Sequence, residues 1–193
     1  MKIRLFYVLI TLTILYFPHL VFAQPNLGTA ANYVLFTKTG AVSSTGISQY
    51  TGNVGTNNGA IAGFGNVDGQ MHNGDPSTAA AQADLMSASS YINGLTPTAS
   101  HGVNLGIGET LNAGIYQLNG GVTLNGTLNL DAQGDANALF IFKIDGGTFM
   151  TTANSQVVLL NGAKACNVFW SAEGAVDIEI GRASCRERVS VLV

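Results

Sequence analysis

The sequence predicts a mainly β chain, because short apolar–polar alternations are separated by glycine turns. In the segment 119–162, Val122, Leu124, Leu128 and Leu130 alternate with Thr and Asn, the period of a strand that is buried on one side. The apolar run 139–144 indicates a strand buried on both sides. Strands follow strands without helices between them, which fits either a β-sandwich or a β-solenoid.

The segment nearer the N-terminus carries turn signals at a regular interval. Thr-Gly pairs begin at Thr39, Thr45 and Thr51, six residues apart, and apolar residues stand between them. This interval is typical of short β-helix rungs in which glycine forms the corners. The pattern therefore favours solenoid rungs over a Gly/Ser/Thr-rich loop.

One helix is predicted at about residues 76–92, after a polar loop at residues 66–75. Asp75 suits the N-cap, and Pro76 suits the first helical position. One stripe of the helix is apolar and predicts packing along a face of the β-structure. It consists of Ala81, Leu85, Ala88 and Ile92.

Residues 1–23 have the features of a secretory signal peptide. Lys2 and Arg4 give a basic start, the apolar segment 6–17 is too short to cross a bilayer, and Ala23 suits cleavage. We therefore expect a secreted, extracellular chain with no membrane association in its mature form.

Residues 180–193 differ in composition from the rest. Arg182, Arg186 and Arg188 occur here, whereas the remainder of the predicted mature chain contains no Arg. The string IGRASCRERV also resembles a translated sequencing adapter. We expect a non-native tail after Glu179, with the C-terminal part of the domain missing; the alternative is a genuine basic tail.

The predicted domain, residues 24–179, carries ten acidic residues and three lysines, a net charge of −7. That balance argues against partners that are nucleic acids or anionic membranes. Its histidines lack the converging neighbours that a metal site needs, so we predict neither a metal nor another cofactor.

Cys166 is the one cysteine of this domain, since Cys185 lies in the tail. Its apolar surroundings predict a small buried side chain, not a nucleophile. Without a disulfide, the domain depends on its core and its backbone ladders.

The acidic residues also fail to indicate catalysis, although some β-helices cleave polysaccharides. Asp131 and Asp135 flank a turn, and Asp145 precedes Gly146, which are positions where Asp normally stabilises turns. No convergent set of acids, bases and nucleophiles is recognisable, so we predict that the protein is not an enzyme.

Several strings resemble a known family. LNLDAQGDANALFIFKI and TTANSQVVLLNGAKACNVFW closely resemble the ice-binding (antifreeze) protein family of bacteria, fungi and diatoms, as do TGNVGTNNGAIAGF and AAAQADLMSASSYINGLTPT. The resemblance covers nearly all of residues 27–179. It implies a right-handed, discontinuous β-solenoid of triangular cross-section with one long helix along a face, and further coils beyond residue 179.

The resemblance also implies a secreted protein that adsorbs to ice through a flat solenoid face rich in Thr, Ser, Asn and Ala, and so inhibits ice growth or recrystallisation. We expect a monomer whose partner is the ice surface. Loose matches to a T-A/G-x-T/N motif, with their neighbours, predict the ice-binding residues Thr45, Ser48, Thr56, Asn58, Thr148, Thr151, Thr152 and Ser155. An extracellular adhesin or matrix module of the same fold, which binds a glycan or another cell surface, is the alternative.

Overall fold

The computed structural model describes residues 23–45 and 49–178, together with the backbone of residues 190–192. Within these ranges the chain is mainly β and has one long α-helix, as predicted. Its strands pair in parallel with strands one coil away, not with their neighbours in sequence. That arrangement is a solenoid and not a sandwich.

The first coils lie before the helix and have short strands because a glycine or polar corner interrupts them every few residues. Three small sheets form, with orders β1-β4-β7, β2-β5 and β3-β6. The strands are β1 (Tyr33–Thr37), β2 (Val42–Ser43), β3 (Gln49–Thr51), β4 (Asn53–Thr56), β5 (Ile61–Ala62), β6 (Asn66–Asp68) and β7 (Met71–Asn73).

The remaining coils follow the helix and form three longer sheets, with orders β8-β11-β14-β17-β19, β9-β12-β15-β18 and β10-β13-β16. The strands are β8 (Ala99–Ser100), β9 (Asn104–Gly106), β10 (Thr110–Asn112), β11 (Gly114–Asn119), β12 (Val122–Asn125), β13 (Thr127–Asp131), β14 (Phe140–Asp145), β15 (Phe149–Thr151), β16 (Gln156–Leu160), β17 (Val168–Ala172), β18 (Val176–Asp177) and β19 (Ser190–Leu192). Neither group of coils shares a sheet with the other, so the solenoid is discontinuous.

Two expectations are wrong. Residues 66–75 do not form a loop, since β6 and β7 lie within them and extend the first coils. Parallel ladder bonds to β3 and β4 order this polar sequence, which has little apolar pattern of its own. Cys166 is exposed rather than buried, because the 3-10 turn Ala165–Asn167 before β17 buries Ala165 and Asn167 and leaves Cys166 on the outside.

Alternate residues of the three sides fill the interior of the later coils. Leu118, Leu128 and Leu130 are fully buried there. Tyr116, Phe142 and Trp170 occupy the same place in successive coils and stack, with ring centroids 5.4 Å and 4.1 Å apart. Repetition of one position through the coils thus produces an ordered aromatic core.

The outer side of the sheet β8-β11-β14-β17-β19 is also apolar, and α1 (Pro76–Gly94) lies against it; we call it the covered face. Ile115, Ile141 and Phe169 occupy one outward ladder of this sheet. They pack with the helix residues Leu85, Ala88 and Ile92. The predicted apolar stripe of the helix is therefore confirmed.

Both ends of α1 are fixed by side chains. At its start, the Asp75 carboxylate accepts a hydrogen bond of 2.9 Å from the Thr78 N–H. The Thr78 hydroxyl in turn accepts a hydrogen bond from the Asp75 N–H. The Thr78 N–H and the His72 side chain lower the pKa of Asp75 below its ordinary value. At its end, buried Lys143 donates to the carbonyls of Asn93 and Leu95, each at 3.1 Å.

Ion pairs are few in the part of the chain that the structure describes. The two contacts of this kind join His72 to Asp75 at 2.6 Å and His101 to Glu109 at 2.9 Å, and each pairs opposite charges only when its histidine is protonated. Packing and hydrogen bonds therefore supply nearly all of the cohesion.

No helix in the described part of the chain is both long enough and apolar enough to span a bilayer. Residues 1–22 of the predicted signal peptide 1–23 and most of the tail fall outside the described residues. The predictions made for both segments stay predictions.

Candidate functional site

The sheet β9-β12-β15-β18 has one side in the core and one in solvent. Val122 and Leu124 of β12 point into the core, so Thr123 and Asn125 point outward. We call this outer side the bare face, since no element of the described chain packs on it. Its outward residues include Asn104, Gly121, Thr123, Asn125, Thr148, Met150, Thr152 and Asp177.

These residues fall into columns because the ladder is parallel and in register. The middle column is a continuous series across four coils, in which Asn104 pairs with Thr123, Thr123 with Met150 and Met150 with Asp177. Neighbours in a column are about 4.8 Å apart, and neighbours along a strand about 6.7 Å apart. The bare face is thus a two-dimensional array in which most side chains are short.

The column nearest the covered face contains Gly121 and Thr148. A Cβ atom added to Gly121 would lie 3.5 Å from Thr148 Oγ1, so the two residues stand side by side on the outer surface. The corner before this column is built from stacked glycines. A Cβ on Gly147 would come within 2.2 Å of Gly120 C, and one on Gly174 within 2.5 Å of Gly147 O. Only glycine fits there, and the edge of the array stays free of protruding side chains.

The third column contains Asn125 and Thr152. The Thr152 hydroxyl donates to Asn125 Oδ1 at 3.1 Å and lies 3.4 Å from the Leu124 carbonyl. These bonds restrict the rotamer of Thr152 and hold its methyl and hydroxyl groups in a defined place.

Charge is nearly absent from the bare face, where Asp177 is the one charged residue among the outward positions named above. The aromatic residues Phe140, Phe142, Phe169 and Trp170 are fully buried. The bare face is therefore a nearly uncharged array without an aromatic groove of the kind that binds sugars.

A family model described as "Ice-binding-like" matches residues 36–186. The chain belongs to this ice-binding-like family. An "Ice-binding protein" of Nostoc sp. is 39% identical over 160 residues, which are 80% of this chain and 58% of that protein.

Solved structures agree with the family assignment. An ice-binding protein from an Antarctic bacterium of the Flavobacteriaceae is 52% identical with a TM-score of 0.76, and the match covers 81% of this chain and 37% of that one. One from the Antarctic ascomycete Antarctomyces psychrotrophicus is 26% identical with a TM-score of 0.70, over 89% of this chain and 98% of the other. The chain spans 58% of the Nostoc protein and 37% of the Flavobacteriaceae chain.

The structure of this family member places the predicted ice-binding residues in different environments. Thr148 and Thr152 lie on the bare face. Thr151 pairs with Leu124, which points into the core, so Thr151 occupies an inward position of the strand. Thr56 is fully buried, and its hydroxyl donates to the Gly40 carbonyl at 2.9 Å. Neither Thr151 nor Thr56 is placed to meet a flat external surface.

The other predicted residues lie at corners or outside the described chain. Ser155 belongs to the turn after β15, where its N–H donates to the Thr152 carbonyl. Asn58 and Thr45 are exposed at the ends of β4 and β2, and Ser48 falls outside the described residues. These residues border the sheets and do not form the array.

Asn104, Thr123 and Asn125 were not predicted as site residues. The signal for the last two was present, because the alternation over residues 122–125 places Thr123 and Asn125 opposite Val122 and Leu124. The motif matches pointed instead to the turns beside the strands. Strand parity was thus a better guide to the surface than motif similarity.

Proposed function

We propose that the chain binds the surface of ice crystals through the bare face and thereby slows ice growth or recrystallisation. The observation that carries the proposal is the in-register array of small, uncharged residues centred on Thr123, Thr148 and Thr152. The relatives are named ice-binding proteins, which supports the same function.

The physical case rests on rigidity and spacing. Parallel ladders hold the short side chains on a fixed grid, about 4.8 Å by 6.7 Å. Short β-branched residues have little rotamer freedom to lose, so ordering them against a solid surface costs little. The hydroxyl groups form hydrogen bonds with water, and the methyl groups restrict the positions that neighbouring water molecules can take. The layer of water over the grid is therefore ordered and can join the ice lattice. Many weak contacts then add up over a flat area, and no catalytic residue or pocket is required.

We propose that the mature chain acts outside the cell, because residues 1–23 have signal-peptide features. We also propose that it acts as a monomer. An adhesin role is not favoured, because the outward positions named for the bare face include no aromatic residue on which a glycan could stack, and Phe140, Phe142, Phe169 and Trp170 are buried.

Two threonines on either side of one corner provide a matched test. Thr123 points outward on the bare face, and Thr127 points outward on the neighbouring side β10-β13-β16, where it accepts a bond from Gln156 Nε2 at 2.9 Å. We expect Thr123→Tyr to raise the protein concentration needed for growth arrest at least about tenfold, a loss of about 1.4 kcal/mol. Thr127→Tyr should leave this concentration nearly unchanged.

Ice-crystal shaping, thermal hysteresis and recrystallisation would be measured beside circular dichroism and thermal unfolding of each variant. Unfaceted discs and unhindered recrystallisation with the unaltered protein would exclude ice binding. A loss with Thr127→Tyr but not with Thr123→Tyr would move the ice-binding surface to the neighbouring side.

A further inference from the structure

One residue interrupts the bare face. Met150 lies in the middle column, between Thr148 and Thr152 along the strand and beside Thr123 across it. It is 45% exposed, and it belongs to neither buried cluster of the described chain. A long side chain therefore stands at the centre of an array of short ones.

The chemistry of Met differs from that of its neighbours in two ways. Its unbranched side chain extends beyond the Cγ and Oγ atoms at which threonine ends, so it rises above the plane of Thr148 and Thr152. It also has three rotatable side-chain bonds and ranks among the residues that lose most rotamer freedom when fixed. Thr123, in the same column, is β-branched and stiff.

A flat crystal surface cannot meet Thr148 and Thr152 together while Met150 stands upright between them. The methionine must fold down against the sheet, which restricts its rotamers, or the surface must stay at a distance from both threonines. Each outcome weakens adsorption at this coil, and the backbone ladder prevents the strand from receding.

We propose that Met150 limits the strength with which the bare face holds ice, and that a threonine at this position would strengthen it. This inference rests on the proposed function of the same face. The local structure favours the replacement, because threonine suits a strand and already occupies the paired position 123.

The test compares Met150→Thr with Met86→Thr in the full chain. Met86 is a matched control, since it is 50% exposed but lies on α1, away from the bare face. We expect Met150→Thr to reach the same thermal hysteresis at about a tenfold lower concentration than the unaltered protein. Met86→Thr should change it by less than about twofold.

Circular dichroism and thermal unfolding would verify that each variant folds. Should Met150→Thr fail to fold, Met150→Ala removes the same flexible atoms and should still improve activity, by a smaller factor. Unchanged or weaker activity in the folded variant, with an active unaltered protein, overturns the role of Met150 alone. If the unaltered protein and every variant lack activity on ice, the proposed function itself fails.

Discussion

The covered face and the bare face are both built from parallel, in-register strands, and they differ in which residues alternate outward. On the covered face the outward ladder is Ile115, Ile141 and Phe169, and α1 packs over it. On the bare face the middle outward ladder starts with Asn104 and Thr123, and it remains exposed to solvent. The outward residues, and not the strand geometry, decide whether a side of this solenoid becomes core or surface.

The two faces also differ in how much folding stability the truncation of a side chain should remove. An aliphatic residue beneath α1 contributes by removing apolar area from water and by filling space that cannot collapse. A threonine on the bare face keeps its contact with water, so its contribution to folding is small. The faces should therefore separate cleanly in measurements of stability and of ice activity.

The largest expected effect is on the covered face. Ile141 is fully buried between the helix and the sheet. Ile141→Ala should lower the free energy of unfolding by about 2–5 kcal/mol, because it leaves a cavity under α1. Denaturant titration with circular dichroism measures it, with Thr123→Ala as the control, for which we expect a change within about 0.5 kcal/mol. Equal losses in the two variants would contradict the distinction between the faces.

A smaller effect is expected where a threonine is buried instead of exposed. Thr56 donates to the Gly40 carbonyl from inside the first coils. Thr56→Val keeps the shape but leaves that acceptor without the hydroxyl, which should cost about 1–3 kcal/mol of stability. Ice activity per folded molecule should stay the same.

Thr56→Ser retains the hydroxyl and should recover most of the stability. If Thr56→Val instead removed ice activity from a stably folded chain, the assignment of function to the bare face would be incomplete.

The smallest effect is expected at the N-terminus of α1, the helix that packs on the covered face. The pKa of Asp75 is lowered by the Thr78 N–H and by His72, so its carboxylate stabilises the folded chain above the ordinary aspartate range. This contribution should disappear as pH falls through the lowered pKa. Asp75→Asn keeps an N-cap acceptor but cannot titrate there.

Melting temperatures of the two proteins would be followed from pH 7 down to strongly acid solution. The unaltered chain should lose more stability on acidification than Asp75→Asn does, after both have been compared at neutral pH. Parallel curves would show that Asp75 adds nothing to the pH dependence.

Much of the fold could be predicted because its strands and helix are locally consistent. Val122, Leu124, Leu128 and Leu130 alternate with polar residues, and all four are buried. The helix begins at its predicted Asp75-Pro76 signal and continues two residues beyond the predicted end, through Gly94. Choosing between a sandwich and a solenoid required the family resemblance, since alternation is the same in both.

The errors arose where order depends on partners distant in sequence. Residues 66–75 look like a polar loop because β6 and β7 are only three residues long and acquire their shape from β3 and β4. The exposure of Cys166 depends on the 3-10 turn before β17, which the apolar sequence around it conceals.

The site was predicted less well than the fold for a geometric reason. A shift of one residue moves a side chain from the outer surface to the core. Thr151 and Thr152 are neighbours in sequence, yet one pairs with core-facing Leu124 and the other bonds to outward Asn125. Alternation counted from buried Phe149 puts Thr151 on the inner side and Thr152 on the outer side, but the motif match treated the two threonines alike.

The scarcity of ion pairs bears on the proposed binding to ice. Ice excludes solutes, so the liquid around it becomes a cold brine. At about 1 M salt the screening length falls to roughly 3 Å, and attraction between surface charges is largely lost. Apart from two histidine pairs, the described chain has no ion pairs to lose, and its ladders and buried Lys143 bonds are hydrogen bonds that such screening barely reaches. The fold is thus suited to a medium whose salinity rises as freezing proceeds.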